Sequence, residues 1–206
     1  MSSADDGIPN DHHDWHSSGY VDEWITRDLT RDDQRRKRLQ QMLAFAAYPS
    51  EAEITVLDVG GGYGVVTEEV LRACPNAQVT LQDYSQPMLD QARQRLAPHA
   101  NRVRYAMGDL RDPAWVLQVG GPFDLVVSAI AIHNLRDRAQ IAACYRAIAG
   151  LLKPDGVFLD YDLFELIGGI EAQLATIRDA GFAEVDRVWQ EGRVAIIAAR
   201  QPRGRA

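Results

Sequence analysis

The chain has 206 residues, 46% of them hydrophobic, which is enough for one α/β domain with a full core. Its formal net charge of −7 and a pI near 5.2 argue against a nucleic-acid groove as the main surface, because such a groove needs a strongly basic face. No apolar run approaches the roughly 20 residues of a membrane-spanning helix and no basic-then-apolar leader opens the chain, so a soluble cytoplasmic protein is expected, with no membrane partner. The two cysteines, Cys74 and Cys144, lack metal-ligand spacing and read as small core residues in a reducing compartment.

Met1 to Ser18 is polar and carries His12, His13 and His16 among four aspartates. A flexible terminus suits this composition better than a metal site, so no metal is expected. Trp15, Tyr20 and Trp24 either staple this arm to the domain or cover a site. Val21, Trp24, Ile25 and Leu29 follow helical spacing, and Leu39, Met42, Leu43 and Ala46 do so again. Between them Thr30-x-x-Asp33 reads as a capping box for the second helix. Arg27, Arg31, Arg35, Arg36, Lys37 and Arg38 form a basic face. Pairing with Asp28, Asp32 and Asp33 on a solvated helix surface accounts for it, although Arg27 or Arg31 would draw an anionic substrate group if the helix overlies a pocket. Residues 1–50 thus read as an arm and helical cap on a domain of residues 51–200, with 201–206 a basic tail.

The stretch Ile54 to Glu69, ITVLDVGGGYGVVTEE, organises the rest. A short aliphatic run (Ile54 to Val59) suits a buried strand; Gly60, Gly61, Gly62 and Gly64 then form a turn, and an amphipathic helix opens at Val65. Glycines let backbone approach a ligand, and the helix start behind them offers unpaired N–H groups. The dinucleotide fingerprint Gly-x-Gly-x-x-Gly would put its third glycine at Val65 or Thr67, so neither register completes it. Asp58, ahead of the loop, suits an ammonium better than a pyrophosphate.

Val79 to Asp83 is a second strand ending in an acid, spaced from the glycines as a carboxylate that accepts from ribose hydroxyls would be. Ser85-Gln86-Pro87 starts a helix whose buried stripe is Met88, Leu89, Ala92 and Leu96. Val103 to Met107 is the third strand, followed by Gly108-Asp109-Leu110, where an Asx-turn is the plain alternative to a binding role for Asp109. Phe123 to Ser128 is the fourth strand, entered from Gly120-Gly121-Pro122 and leaving through Ala129 to Leu135. Ile141, Tyr145, Ile148 and Leu152 mark the next helix, ended by the turn Lys153-Pro154-Asp155-Gly156. Val157 to Asp162 is strand five. Leu166, Ile170, Leu174 and Ile177 form the last helix, stopped by Gly181. Phe182 to Trp189 and Arg193 to Ala199 are two closing strands.

The sequence VLDVGGGYG, the acid at Asp83, the Gly108-Asp109-Leu110 step and LLKPDGVF together resemble the class I S-adenosylmethionine-dependent methyltransferases over Ile54 to Ala199. The resemblance implies an α/β, Rossmann-like, doubly wound sheet of seven strands, mostly parallel with an antiparallel final strand, helices on both faces and here a helical amino-terminal cap. It implies S-adenosyl-L-methionine as cofactor, S-adenosyl-L-homocysteine as product and a small-molecule acceptor methylated on O, N or S. By the same resemblance Asp58, Gly60, Gly61, Gly62, Gly64, Asp83, Tyr84 and Met88 bind the cofactor, Asp83 by accepting from the ribose hydroxyls. Gly108, Asp109 and Leu110, with Met107, meet the adenine, and Ser128 and Ala129 meet the methionine through backbone. His133 is the candidate general base, since it follows strand four on the acceptor side and histidine titrates in the useful range; a histidine that merely packs or caps is the alternative. Tyr161 and Asp162 lie near the expected acceptor site, with Asp162, read as an exposed loop residue, the better polar lining. A non-catalytic cofactor-binding module and a nicotinamide-dependent oxidoreductase are the competing functions. Nothing in the sequence fixes oligomeric state; a homodimer stays open.

Overall fold

The computed structural model describes residues 14–30 and 32–200. Two helices, α1 (Ser18–Leu29) and α2 (Asp32–Ala44), precede an alternation of strands and helices. It runs β1 (Thr55–Val59), α3 (Val65–Ala73), β2 (Gln78–Asp83), α4 (Gln86–Arg95), β3 (Val103–Met107), α5 (Trp115–Val119) and β4 (Phe123–Ala129). It continues with α6 (Arg138–Leu151), β5 (Leu152–Asp162), α7 (Ile170–Asp179), β6 (Glu184–Glu191) and β7 (Val194–Arg200). The strands form one sheet in the order β3-β2-β1-β4-β5-β7-β6, parallel except for β7, which runs against both its neighbours. This is the seven-stranded, mostly parallel sheet with a reversed final strand that the sequence led us to expect. Strand order reverses between β1 and β4, and in an open α/β sheet the crevice beyond the carboxyl ends at that point is where ligands bind.

Both faces of the sheet are covered, so strand residues alternate between two cores rather than between core and water. Val56, Leu125, Val127 and Leu159 enter the core under α1 to α4, together with Val21 of α1 and Leu39, Met42 and Leu43 of α2. Leu57, Val126 and Phe158 enter the opposite core, under α5, α6 and α7. The two amino-terminal helices therefore share a core with the sheet, and this parity of the strands later decides which side chains meet at the site.

Four local expectations are corrected. Thr30 is the carboxyl-terminal cap of α1, its hydroxyl donating to the Arg27 carbonyl, rather than the start of a capping box; the side chains of Arg31, Asp32 and Asp33 lie outside the described residues. Leu152 opens β5 instead of closing α6, and the Lys153-Pro154-Asp155-Gly156 turn appears inside that strand as a break in register opposite Phe123 and Leu125, with Asp155 at φ 64°. Leu166 belongs to a 3-10 turn (Phe164–Ile167) and is 42% exposed, because Gly168 and Gly169, both at positive φ, separate that turn from α7 and restart the helical period at Ile170. The basic face of α2 is a clamp more than a solvated surface. Arg35 does pair with Asp28, but Arg36 reaches Glu68 and Glu69 of α3, and Arg38 pairs with Glu191 and lies 4.1 Å from the centre of the Trp189 ring. His12, His13 and the basic tail lie outside the described residues.

Candidate active site

The tips of β1, β2 and β3 are bound together by side chains that satisfy backbone. Gln82 accepts from the Gly60 N–H through Oε1 at 3.0 Å and donates through Nε2 to the Gly108 carbonyl at 2.5 Å, so one amide spans three strand ends. Its neighbour Asp83 leaves β2 on the other face. Asp83 Oδ2 accepts from the Gly62 N–H at 2.9 Å and Oδ1 from the Ser85 N–H at 2.8 Å. Burial pushes the Asp83 carboxyl up, with the N–H groups of Ser85, Gly62 and Tyr84 pulling the other way. Gln82 was not among the residues singled out from sequence; a buried glutamine one position before a strand-end acid was its only signal.

The glycine loop divides by what surrounds it. A Cβ on Gly60 would lie 2.5 Å from the Ala131 Cβ, and Gly61 and Gly64 are hemmed in by Leu81 and Leu96 in the same way. Packing within the protein is enough to require those three. Gly62 is different: at φ 53°, its nearest neighbour in that direction is the Met88 sulfur at 3.9 Å, so this is the part of the loop with open space before it. Behind the loop, Asp58 is fully buried, with Oδ2 accepting from the Thr67 hydroxyl at 2.7 Å and Oδ1 without a partner. Burial pushes Asp58 up to about 7, against the pull of its bonds to Thr67 and with a further push from the Asp83 charge.

Beside this ring, Tyr84 is half-buried between the His16 ring, edge-on at 5.2 Å, and the Arg111 guanidinium, 5.8 Å from its centre. Asp109 is taken by Arg111, with Oδ1 accepting from Arg111 Nε and N–H, both at 2.9 Å, and Met107 is 57% exposed. The amino-terminal arm reaches the same place. The Ser85 hydroxyl caps α4 and donates to the Trp15 carbonyl, while Trp15, Trp24 and Tyr63 stack edge-to-face in sequence onto the glycine loop. These contacts form a staple that ties the arm to the domain beside the glycine loop. The Tyr63 hydroxyl completes it, donating to Asp28 and accepting from Arg35.

At the tips of β4 and β5 the polar groups bind one another. Asp162 is fully buried, which corrects the expectation of an exposed loop position. Its Oδ2 accepts from the His133 N–H at 3.0 Å and its Oδ1 lies 2.5 Å from His133 Nδ1. A carboxylate only accepts, so Nδ1 carries a proton, and in the neutral imidazole the lone pair then lies on Nε2, the arrangement a general base needs. Tyr161, one residue earlier, points to the opposite face, where its ring stands 6.3 Å from Trp189; the structure does not bring it to His133. Between the strands, Ile130 holds φ 54°, an uncommon conformation for a β-branched residue, and its N–H binds the Tyr161 carbonyl at 2.8 Å. Ser128 is fully buried and Ala129 partly so, on the two faces of the β4 tip.

A family model described as a methyltransferase domain matches residues 56–156, from β1 into β5. This segment belongs to the class I S-adenosylmethionine-dependent methyltransferases. Over 111 residues it is 32% identical to a release factor glutamine methyltransferase of Chlorobaculum tepidum, covering 53% of this chain and 38% of that protein. Over 126 residues it is 32% identical to a trans-aconitate 2-methyltransferase of Variovorax paradoxus, covering 61% of this chain and 44% of the relative. The chain thus spans less than half the length of these two relatives. The N-methyltransferase NodS of Bradyrhizobium japonicum, solved with S-adenosyl-L-homocysteine, superposes with a TM-score of 0.66 at 22% identity over 81% of this chain and 87% of the other.

S-adenosylmethionine is the cofactor of this methyltransferase class, and the residues present fit it. Open space lies before Gly62, a buried carboxylate oxygen of Asp58 has no partner, and Asp83 retains acceptor capacity beyond its backbone bonds. One cavity of about 350 Å3 lies at the amino-terminal edge of the sheet, lined by Glu53, Asn76 and Arg102, and another of about 290 Å3 lies between Leu110, Arg111, Trp115 and Ala143. Among the described residues no group of three or more ligating side chains could hold a metal ion, and no helix is long and apolar enough to cross a membrane.

Proposed function

We propose that this methyltransferase acts on a small-molecule acceptor that must lose a proton on methylation, a hydroxyl or a protonated amine, with His133 as general base and Asp162 as the group that orients it. The observation that carries this reading is the buried His133–Asp162 pair at the carboxyl end of β4 and β5. S-adenosylmethionine supplies a methyl group on a sulfonium, a good leaving group, so the chain's own work is to hold, orient and keep water out. Asp83 accepts from the ribose hydroxyls with the lone pairs its backbone bonds leave over. Asp58 faces the ammonium, Gly62 lets backbone come close, and Tyr84, Met88, Gly108, Asp109 and Leu110 border the nucleoside, with Asp109 exchanging Arg111 for the adenine amine. Ser128 and Ala129 offer backbone to the methionine, and Nε2 of His133 takes the acceptor's proton.

A non-catalytic binding module leaves the His133–Asp162 pair without a use, and an oxidoreductase lacks the third glycine of the dinucleotide loop. The net charge of −7 favours a small acceptor over a nucleic acid. The buried, unpaired Cys74 and Cys144 support a reducing, cytoplasmic setting. Titration calorimetry with S-adenosylmethionine, S-adenosylhomocysteine and NAD tests the reading. Both nucleosides are expected to bind and NAD to leave their binding unchanged; heat from NAD alone would overturn it.

A further inference from the structure

The carboxyl end of β5 carries two buried carboxylates on one face. Leu159 and Tyr161 belong to the cap side, so Asp160 and Asp162 both leave the strand toward α6 and α7, and both are fully buried. Their partners differ in kind. Asp162 takes three N–H groups, from the His133 backbone, His133 Nδ1 and Leu163. Asp160 takes none. Its one partner among the described residues is the Tyr145 hydroxyl at 3.2 Å, its Oδ1 is unsatisfied, and no ion pair among the described residues reaches it. On the adjacent strand the register sets Ser128 beside Asp160, on the same face, and the Ser128 hydroxyl is the other unsatisfied oxygen there.

The groups facing Asp160 are Tyr145 and Cys144 from α6, Ser128 from β4, Ile197 from β7 and Asp162 on its own strand, with His133 beyond Asp162. None but His133 can bring a positive charge, and His133 is bound to Asp162. Two carboxylates side by side in a buried site do not both ionise when the one group able to bring a positive charge lies beyond Asp162. The donor count assigns the charge to Asp162.

We infer that Asp160 is a positioning residue that keeps its proton at neutral pH, so that Asp162 is the single anion on this face and His133 its single partner. The inference rests on the proposed role of His133 for its consequence, though not for its test. A second anion beside Asp162 would hold the imidazole in its protonated form, which cannot accept a proton from an acceptor. As a neutral acid, Asp160 still accepts from Tyr145 and places no second charge on the face it shares with Ser128. Burial, and then the Asp162 charge, push the Asp160 carboxyl well above the usual carboxylate range, with the Tyr145 hydrogen bond pulling the other way.

Two measurements on the full chain decide it, and neither needs a methyl acceptor. Infrared spectra at neutral pH are expected to contain the carbonyl stretch of a buried protonated carboxyl that Asp160→Asn removes; wild-type protein without that band overturns the inference. The second is the pH dependence of thermal unfolding. A carboxyl that holds its proton more tightly in the fold than in the unfolded chain makes the wild type lose stability as pH rises through the range between the two, and Asp160→Asn does not titrate. The Tm of Asp160→Asn minus that of wild type is therefore expected to grow as pH rises above the ordinary carboxylate range, whereas an Asp160 that is already ionised there leaves the same difference flat and sinks the inference. If Asp160→Asn does not fold, Tyr145→Phe substitutes for it: losing that hydrogen bond must shift the infrared band, and an unmoved band counts against Asp160 as its source. Turnover that survives His133→Gln would remove the base while leaving both readouts intact.

Discussion

At the tips of β1, β2 and β3, Gln82 and Asp83 bind backbone alone; at the tips of β4 and β5, His133 and Asp162 also bind each other through their side chains. Gln82 and Asp83 together accept four N–H groups and donate to one carbonyl, tying strand ends without a cation. His133 and Asp162 form a closed pair whose one open atom is a basic nitrogen, and Asp160 stands beside them. The first region is built to hold a ligand's shape and the second to move a proton. If that division is right, substitutions should separate affinity from turnover along the line between β1 and β4.

The largest separation is expected from His133→Gln. Loss of a general base lowers kcat by ~10² to ~10⁴-fold, while the dissociation constant for S-adenosylmethionine stays within a small factor of wild type; a parallel loss of both in calorimetry and product assays would erase the division. Asp83→Ala is the complementary change. It removes the acceptor for the Gly62 and Ser85 N–H groups and for the ribose, and should weaken cofactor binding by about 1–3 kcal/mol in calorimetry, with bound-state turnover much less affected. A smaller effect sharpens the picture within the first region. Asp58 is held up to about 7, and an ammonium favours its ionised form, so cofactor affinity should rise with pH by up to about tenfold per unit below neutrality and level off above about 7. Asp58→Asn should flatten that slope; an identical slope in the variant would place the titration elsewhere.

The two regions were not equally legible. The strand, the glycine turn and the acids ending β2 and β3 stand in one local order, because backbone that approaches a ligand needs glycine and a strand-end acid needs no distant partner. The His133–Asp162 pair joins residues 29 positions apart, so only the register of β4 on β5 reveals it. The clue in the sequence was the spacing Asp160-x-Asp162: strand parity puts both acids on one face and turns Tyr161 to the other. Reading Tyr161 and Asp162 as neighbours beside one acceptor site, with Asp162 on an exposed loop, missed that parity. The arginines of α2 misled for a related reason, since charge counted along the helix found Asp28 but could not find Glu68, Glu69 or Glu191, which only the tertiary fold brings near.

The amide of Gln82 has a consequence for how a nucleoside would be received. Because one planar group fixes the gap between the first glycine of the loop and the end of β3, the cradle has its width before anything enters it. Ordering entropy that a loose loop would lose on association has already been lost on folding, so the cradle is preorganised and little of the contact energy is diverted into assembling it.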